Sequence, residues 1–312
     1  MPRVSTVTLA GSIRSRLVLA DFPAKEMGWL WQSCVDKGVI QKKKKKIHPN
    51  GISHWARLCN WRLQGVPLQY LIGWQPFGSL KILCRNHVLI PRWETEEWVN
   101  DLGQSILTCS KLGSIKSNLN LVDFCTGTGC IPLLLLKMTR HTNIFKQICA
   151  FDISPDALKL TQRNVVHNHL EHSTNFKVQY ANILNGDNLF PEKIDMLTCN
   201  PPYISKNTFE SDVEDSVKRY EPHLALVGDL EFYENLIQIW LPHINSFVYE
   251  LGSYKQFNYV KEEIIKHNNN FPNNKFGLGM KFDSNGQIRC VFGFNEKIKS
   301  IFQNYGQLII QI

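Results

Sequence analysis

The residues best suited to chemistry are Asn200, Pro201, Pro202 and Tyr203, which directly follow the apolar run 194–199. Because two successive prolines neither continue a helix nor pair further in a sheet, the run is predicted to be a buried strand that ends at Asn200. Ligands of open α/β sheets bind at this end of the strands. Two carbonyl acceptors and an aromatic face, without a strong base, suit a planar –NH2 group of a carboxamide or a nucleobase. The alternative is a simple strand-ending turn.

A second candidate site is the turn Thr126-Gly127-Thr128-Gly129, between a strand predicted at 121–124 and a helix predicted from Cys130 to about Thr139. Glycines at a helix N-terminus let a ligand approach the backbone closely. The next predicted strand, 148–153, carries Asp152, which is placed to accept hydrogen bonds from ribose hydroxyls. That acid suits NAD and S-adenosylmethionine equally, but the turn lacks the third glycine of the dinucleotide fingerprint, which favours S-adenosylmethionine.

A third predicted strand, 176–183, ends with Asn182 and Ile183, which are placed to hydrogen-bond the adenine edge and to pack on its ring. Further strands are predicted at 247–251 and in a terminal hairpin around Asn285-Gly286, and a helix at 231–240. The asparagine-rich stretch 268–274 is interpreted as a polar loop without a structural role. The pattern predicts an α/β fold with about seven strands, parallel except at the last edge.

The elements that precede this fold are predicted to be helical and then extended. Residues 1–20 are basic and lack acidic residues, as in a mitochondrial presequence, with a short disordered tail as the alternative. Residues 21–65 have helical spacing of apolar residues and predict two or three short helices. A β-hairpin is predicted from the segments 76–82 and 87–90, and a helix opens after Pro91 with acidic residues in its first turn.

Composition limits the class of protein. The 312 residues are 43% hydrophobic, and the apolar runs are too short to span a membrane. Nine cysteines without a CxxC pair indicate a reducing compartment, and no metal cluster is suggested. The formal charge of +8 is compatible with an anionic partner, although the run 42–46 is interpreted as a solvated loop.

Five motifs in chain order carry a resemblance to a known family. They are Gln69-Tyr70; Pro91-Arg92-x-Glu94-Thr95-Glu96; Asp123-x-x-Thr126-Gly127-Thr128-Gly129; Asn200-Pro201-Pro202-Tyr203; and Glu221-Pro222 with Ala225-Leu226-x-Gly228. The chain closely resembles, over about residues 50–295, the PrmC/HemK family of S-adenosylmethionine-dependent glutamine N5-methyltransferases, which act on peptide chain release factors. It looks most like a fungal mitochondrial member, which agrees with the basic N-terminus.

The resemblance implies a Rossmann-like, seven-stranded methyltransferase domain at 93–312. A linking β-hairpin at 74–92, a helical release-factor-binding domain at 21–73 and the presequence at 1–20 would precede it. The implied substrate is the glutamine of the Gly-Gly-Gln motif in a mitochondrial class I release factor. A monomer in the mitochondrial matrix is expected, without direct nucleic-acid binding.

The resemblance also implies roles for single residues. Asn200, Pro201 and Tyr203 would be catalytic, and these three with Pro202, Arg92 and Glu94 would bind the substrate. The cofactor S-adenosylmethionine would be held by a larger set: Thr126, Gly127, Thr128, Gly129, Asp152, Asn182, Ile183 and Asn200.

Two positions depart from the family pattern, which usually has Gly at Cys125 and Asp at Asn182. Both changes are expected to affect the cofactor pocket without removing the methyl-transfer groups. Two other functions stay open at this point. One is adenine-N6 methylation of a nucleic acid, which uses the same Asn-Pro-Pro-Tyr corner. The other is a methyltransferase fold that has lost catalysis and serves as a scaffold.

Overall fold

The computed structural model describes residues 23–40, 49–173, 175–185 and 193–312. The predicted presequence and the lysine run 42–46 lie outside these residues. The chain divides into two compact units. One runs to Trp74 and also takes in Glu214–Tyr220, and the other comprises Gln75–Val213 and Glu221–Ile312.

Helices and strands alternate through most of the chain. The strands are β1 (Trp74–Phe77), β2 (Leu80–Leu83), β3 (Leu119–Phe124), β4 (Phe145–Asp152), β5 (Phe176–Tyr180), β6 (Met196–Cys199), β7 (Ser246–Glu250), β8 (Gly277–Phe282), β9 (Ile288–Phe294) and β10 (Gln307–Ile310). The α-helices are α1 (Ala24–Asp36), α2 (Pro49–Leu63), α3 (Leu68–Ile72), α4 (Trp93–Lys111), α5 (Cys130–Thr139), α6 (Pro155–His167), α7 (Lys206–Ser211), α8 (Asp215–Tyr220), α9 (Glu231–Asn235), α10 (Tyr254–Asn270) and α11 (Lys299–Phe302).

The smaller unit is helical. Its α1, α2 and α3 bury a small core that includes Leu30, Trp55 and Leu71. Arg62 of α2 donates to Glu26 of α1 at 2.7 Å, which ties the two helices together at the surface. The helix α8 belongs to the same unit, and the Tyr220 hydroxyl donates to the Gln64 carbonyl at 3.2 Å.

The larger unit is built on one sheet whose strand order is β10-β8-β9-β7-β6-β3-β4-β5. The strands β5, β4, β3, β6 and β7 pair in parallel, whereas β9, β8 and β10 pair antiparallel. Every residue of β3, β6 and β7 is buried, because helices cover both faces of the sheet. The chain leaves β3 first toward β4 and later toward β6, so a crevice is expected at the carboxyl ends of β3 and β6.

The Rossmann-like methyltransferase fold class is confirmed, with one strand more than predicted. β10 adds an eighth strand to the main sheet of the described residues, where it pairs with β8. The prediction of α5 at Cys130–Thr139 is also confirmed. The helix α6 is capped by Ser154, whose hydroxyl accepts from the Ala157 N–H at 3.3 Å. The third parallel strand ends at Tyr180, so that Ile183 begins a 3₁₀ turn instead.

The hairpin was predicted with its strands at the wrong positions. Both strands, β1 and β2, lie within 74–83, and Gly78 turns the chain between them with φ of +53°. The segment 87–90 forms no strand, and Val88 instead packs against Ala157 and Leu160 of α6. Apart from Trp74, the hairpin is part of the larger unit, where Phe77 and Ile82 are in the core.

The helix predicted at 231–240 is confirmed within those bounds, although it changes from α-helix to π-helix at Leu236. One C-terminal prediction needs correction. The stretch 268–274 is not a loop without a role: α10 runs to Asn270, and the Asn268 side chain bonds both the N–H and the carbonyl of Phe276 at 2.8 Å. Among the described residues, no helix is both long enough and apolar enough to cross a bilayer.

Candidate cofactor and substrate site

A cavity of the larger unit lies at the carboxyl ends of β3, β4 and β6, where the strand order predicts a crevice. The glycine-rich turn after β3, Asp152 at the end of β4, and Asn200 after β6 all line it. Residues of three loops that are distant in sequence close it, among them Val88, Leu224 and the 3₁₀ residue Ile183. The sequence-predicted cofactor residues and Asn200 therefore border one and the same cavity, with the exception of Gly129.

The glycine-rich turn is shaped for close approach to its backbone. Gly127 has φ of +56°, and a Cβ there would lie 4.0 Å from Val88 Cγ1, a group that itself lines the cavity. A side chain at this position would therefore occupy space in the cavity. Gly129 has a different role: its φ is +78°, and a Cβ would lie 2.7 Å from Thr161 Cγ2. It lets α5 begin in close contact with α6 and does not line the cavity.

Asp152 holds the turn and borders the cavity at the same time. Its Oδ2 accepts from the Gly127 N–H and its Oδ1 from the Ser154 N–H, both at 2.8 Å. Burial raises the pKa of Asp152, and these backbone N–H groups oppose the rise. Each carboxylate oxygen retains a lone pair for a hydroxyl donor, so the residue fits a ribose as well as its own turn.

Asn182 and Ile183 border the cavity beyond the end of β5. The Asn182 Oδ1 accepts from the Leu184 N–H at 3.1 Å, and its Nδ2 donates to Asn185 Oδ1 at 3.1 Å. The amide is thus held in a fixed plane by its own turn. Ile183 is buried and offers an apolar surface to a flat ring.

Cys125 lines the cavity with a left-handed backbone, at φ of +53°. Glycine adopts this conformation without strain, which explains physically why the family pattern has glycine at this position. An L-residue in this conformation costs roughly 1–2 kcal/mol. Cys125 directly follows Phe124, the last residue of β3, which pairs with Cys199 of β6.

Asp123 lies beneath the turn and is fully buried. Its Oδ1 accepts from the Thr198 hydroxyl at 2.7 Å. Burial raises the pKa of Asp123 to about 7. This carboxyl does not line the cavity, so its position indicates a structural contact between β3 and β6.

The Asn-Pro-Pro-Tyr corner is fixed by contacts behind it. Pro201 is buried, and Pro202 lines the cavity together with Asn200. A Cβ at Gly252 would lie 2.8 Å from Tyr203 Cδ2, so the ring rests directly on that glycine. The Gln256 side chain donates to the Tyr203 carbonyl at 2.9 Å. The corner is thus rigid, and Pro201 and Tyr203 support it from outside the cavity lining.

A buried carboxylate lies behind this corner. Glu250, at the end of β7, accepts at Oε2 from the Thr95 hydroxyl at 2.7 Å and from Trp98 Nε1 at 2.9 Å. Its Oε1 accepts from the Tyr203 hydroxyl at 3.1 Å, and Asn200 Nδ2 donates to Thr95 Oγ1 at 3.4 Å. Burial raises the pKa of Glu250, while the three hydrogen bonds oppose the rise.

Arg92 and Glu94, both predicted to bind substrate, occupy different environments. Arg92 lines the cavity and donates from Nη2 to Glu221 Oε1 at 2.6 Å. The other oxygen of Glu221 accepts from the Ile90 N–H at 3.1 Å. Glu94 is outside the cavity lining and forms an ion pair with Arg289 at 3.4 Å.

Thr95, Glu250 and Glu221 are site residues that the sequence reasoning did not assign. Glu250 had a detectable signal, since it ends a predicted parallel strand at the edge where ligands bind. Thr95 and Glu221 stood within quoted motifs, but their partners are distant in sequence. Only the folded chain brings them together.

The fold and the site together define a methyltransferase. The family described as "Methyltransferase small domain" matches residues 100–237. Among solved structures, the hMettl16 catalytic domain in complex with MAT2A 3′UTR hairpin 6 is similar with a TM-score of 0.50 and 17% identity. The match covers 77% of this chain and 81% of that one, and it supports the fold alone.

Curated relatives narrow the class. The chain is 39% identical to the mitochondrial MRF1 N(5)-glutamine methyltransferase MTQ1 of Saccharomyces cerevisiae, over 99% of this chain and 95% of that protein. It is 35% identical to the probable MRF1 mitochondrial N(5)-glutamine methyltransferase of Schizosaccharomyces pombe, over 75% and 78%. A release factor glutamine methyltransferase of Flavobacterium psychrophilum is 33% identical over 64% and 68%. The chain belongs to the N(5)-glutamine methyltransferase family, as its motifs predicted.

Proposed function

We propose that this chain methylates the N5 atom of the glutamine in the Gly-Gly-Gln motif of a mitochondrial class I release factor. The observation that carries the proposal is the single cavity lined by both the cofactor-type residues and Asn200. The names of the relatives support the release factor as the substrate, and two of these relatives are mitochondrial. The mitochondrial matrix is the compartment that we infer from them.

The residues of the cavity fit S-adenosylmethionine. Gly127 leaves its backbone open, Asp152 keeps acceptor lone pairs for ribose hydroxyls, and Ile183 offers an apolar surface to adenine. Thr126, Thr128 and Asn182 complete the set, and Gly129 supports it through α5. When bound, this cofactor supplies an electrophilic methyl group.

The chain's own contribution is to position a poor nucleophile. The lone pair of an amide nitrogen is delocalised into its carbonyl, so the nitrogen must be held in the productive orientation. We infer that Asn200 Oδ1 and the Pro201 carbonyl each accept one N–H of the substrate amide. The same two dipoles stabilise the positive charge that develops on nitrogen. Tyr203, outside the cavity lining, contributes by holding the corner against Gly252 and Glu250. No general base is required before the methyl is attached.

Other parts of the chain would bind the release factor. By the family resemblance, the smaller helical unit grips the protein substrate, and Arg92 and Glu94 contribute on the larger unit. We infer that the enzyme works as a monomer and without direct nucleic-acid contacts. Sedimentation tests the monomeric state, and the nucleic-acid substrates of the experiment below test the second inference.

The test is a methyl-transfer assay with labelled S-adenosylmethionine. It offers a mitochondrial class I release factor, the same factor with its Gly-Gly-Gln glutamine changed to alanine, duplex DNA and an RNA hairpin. Label on the wild-type factor alone is expected. Label on nucleic acid would replace the proposal by adenine methylation, and no label combined with no cofactor binding would favour a scaffold.

Asn200→Ala tests the role of the corner itself. It is expected to lower kcat by about 10²–10³-fold, or roughly 2.7–4 kcal/mol, by analogy with the loss of one oxyanion-hole donor. Binding of S-adenosylhomocysteine, measured by calorimetry, controls for damage to the cofactor site. A kcat within about threefold of wild type would contradict the role given to Asn200.

A further inference from the structure

A chain of hydrogen bonds connects the cavity to a buried charge. Asn200 Nδ2 lies 3.4 Å from Thr95 Oγ1, and Thr95 Oγ1 lies 2.7 Å from Glu250 Oε2. The three residues come from the loop after β6, from the first turn of α4 and from the end of β7. Thr95 and Glu250 are each about 1% exposed. Asn200 and Thr95 line the cavity, whereas Glu250 lies behind them in the protein interior.

The direction of these hydrogen bonds follows from the chemistry of the groups. An ionised carboxylate only accepts, so the single hydroxyl hydrogen of Thr95 is committed to Glu250. The Thr95 oxygen then has only lone pairs left for Asn200. Asn200 must therefore present its NH2 group to Thr95, and its Oδ1 lies on the opposite edge of the amide.

Glu250 is well suited to impose this direction. Besides Thr95 it accepts from Trp98 Nε1 at 2.9 Å and from the Tyr203 hydroxyl at 3.1 Å. Thr95 and Trp98 occupy both lone-pair positions of Oε2, so a proton on that oxygen would displace one of them. Hydrogen bonds to the charged form favour that form, so the arrangement holds Glu250 as an acceptor despite its burial.

We propose that Glu250, acting through Thr95, is a positioning residue that turns Asn200 Oδ1 toward the substrate and so makes the site select a carboxamide over a carboxylate. The proposal rests on the function proposed above. Without this chain of bonds the Asn200 amide is free to rotate by half a turn. Its NH2 group would then face the substrate, where it would oppose the –NH2 of a glutamine but could donate hydrogen bonds to the carboxylate of a glutamate.

The chain offers matched variants for a test. Thr95→Val removes the hydroxyl at nearly constant shape, and Thr95→Ser keeps it. Thr198→Val is the control, because the Thr198 hydroxyl also donates at 2.7 Å to a buried carboxylate, that of Asp123. It lies two residues before Asn200 in the sequence, but its hydroxyl bonds to the Val122 carbonyl and to Asp123 Oδ1, on the neighbouring strand β3. Each valine variant thus removes one hydrogen bond from a threonine hydroxyl to a buried carboxylate.

The substrates are a purified mitochondrial class I release factor and its Gly-Gly-Glu form, which serves as a competitor. Wild type is expected to bind the glutamine form at least about tenfold more tightly, and Thr95→Val to narrow this ratio to within about threefold. Thr95→Val should also lower kcat/KM for methyl transfer at least about tenfold, with Thr95→Ser restoring it. Thr198→Val is expected to change stability but to keep the wild-type binding ratio.

A Thr95→Val enzyme with the wild-type preference for glutamine would overturn the proposal, and so would an equal loss of preference in Thr198→Val. A neutron crystal structure of the deuterium-exchanged protein reads the amide directly and needs no substrate. Deuterium on the Asn200 atom that faces Thr95 is expected, and Oδ1 at that place would refute the inference. If wild type fails to methylate the release factor, the proposed function fails alone, because the neutron measurement still decides the orientation.

Discussion

Gly228 is predicted to control the position of the Asn-Pro-Pro-Tyr corner. A Cβ at this residue would lie 2.3 Å from the Pro202 carbonyl oxygen and 3.0 Å from Phe232 Cε2. The first distance is about 1 Å short of an ordinary carbon–oxygen contact of about 3.3 Å. Because the opposing atom belongs to the backbone, no rotamer change relieves the overlap. The Gly228 backbone is not left-handed, so the effect of alanine here is steric alone.

Gly228→Ala should therefore push the corner away by roughly the missing distance. Overpacking of this kind costs about 1–3 kcal/mol of unfolding free energy. A displacement of about 1 Å at the reacting groups is worth about 10²-fold in rate, and the variant is expected to lose that much kcat for methyl transfer to the release factor. Binding of S-adenosylhomocysteine should change little, since the glycine-rich turn and Asp152 lie on other strands.

Gly28→Ala is the matched control. Gly28 is an exposed residue inside α1, and a Cβ there meets nothing within 4 Å. Alanine should stabilise this helix by roughly 0.5–1 kcal/mol and leave kcat unchanged. Urea unfolding and steady-state methyl transfer measure both variants. The steric argument is refuted if Gly228→Ala keeps kcat within about threefold of wild type and unfolds at the same urea concentration.

Three further predictions concern the surroundings of the site. Glu221→Ala should lower the unfolding free energy by about 1–3 kcal/mol more than Glu221→Gln, because the amide still offers the buried Ile90 N–H an acceptor while both changes lose the charge pair with Arg92; urea unfolding decides this. Asp123 has a folded pKa of about 7, above its ordinary 3.8, so the stability from its protonated form is complete below pH 4 and is lost as the pH rises to 7. The unfolding free energy of Asp123→Asn relative to wild type should therefore rise by roughly 4 kcal/mol between pH 4 and pH 7. A difference in unfolding free energy that stays constant over this pH range would contradict the assignment. Cys125→Gly should change the unfolding free energy by no more than about 1 kcal/mol, whereas Cys125→Val should destabilise clearly, because a β-branched residue does not tolerate the left-handed backbone; equal effects would argue against strain at this position.

The sequence was sufficient to predict the central strands, because β3 and β6 are buried on both faces and therefore read as continuous apolar runs. It was also sufficient for α5, which begins directly after the left-handed Gly129. The hairpin was misread because Gly78 turns the chain inside one alternating run. Each strand has only four residues, which is too short for the alternation of apolar and polar residues to show where one strand ends and the next begins.

Contacts between distant residues set the limit of sequence reasoning at the site. Thr95 and Glu250 are 155 positions apart, and Ile90 and Glu221 are 131 apart. Nothing in the local pattern of either residue indicates its partner. The glycine-rich turn and the Asn-Pro-Pro-Tyr corner were predictable because each is a local backbone geometry that demands particular residue types. The carboxylates behind them act through space and appear only in the fold.

The two departures from the family pattern have local explanations that weaken the scaffold alternative. Cys125 has a small unbranched side chain, which the left-handed turn tolerates at modest cost. At the other position, Asn182 Nδ2 donates to Asn185 Oδ1, whereas an ionised aspartate would set two oxygens against each other there. Asn182 keeps the acceptor that aspartate would provide to the Leu184 N–H, so the turn is preserved and only a charge is lost. Neither change touches Asn200, Thr95 or Glu250, and the groups that we assign to methyl transfer are therefore intact.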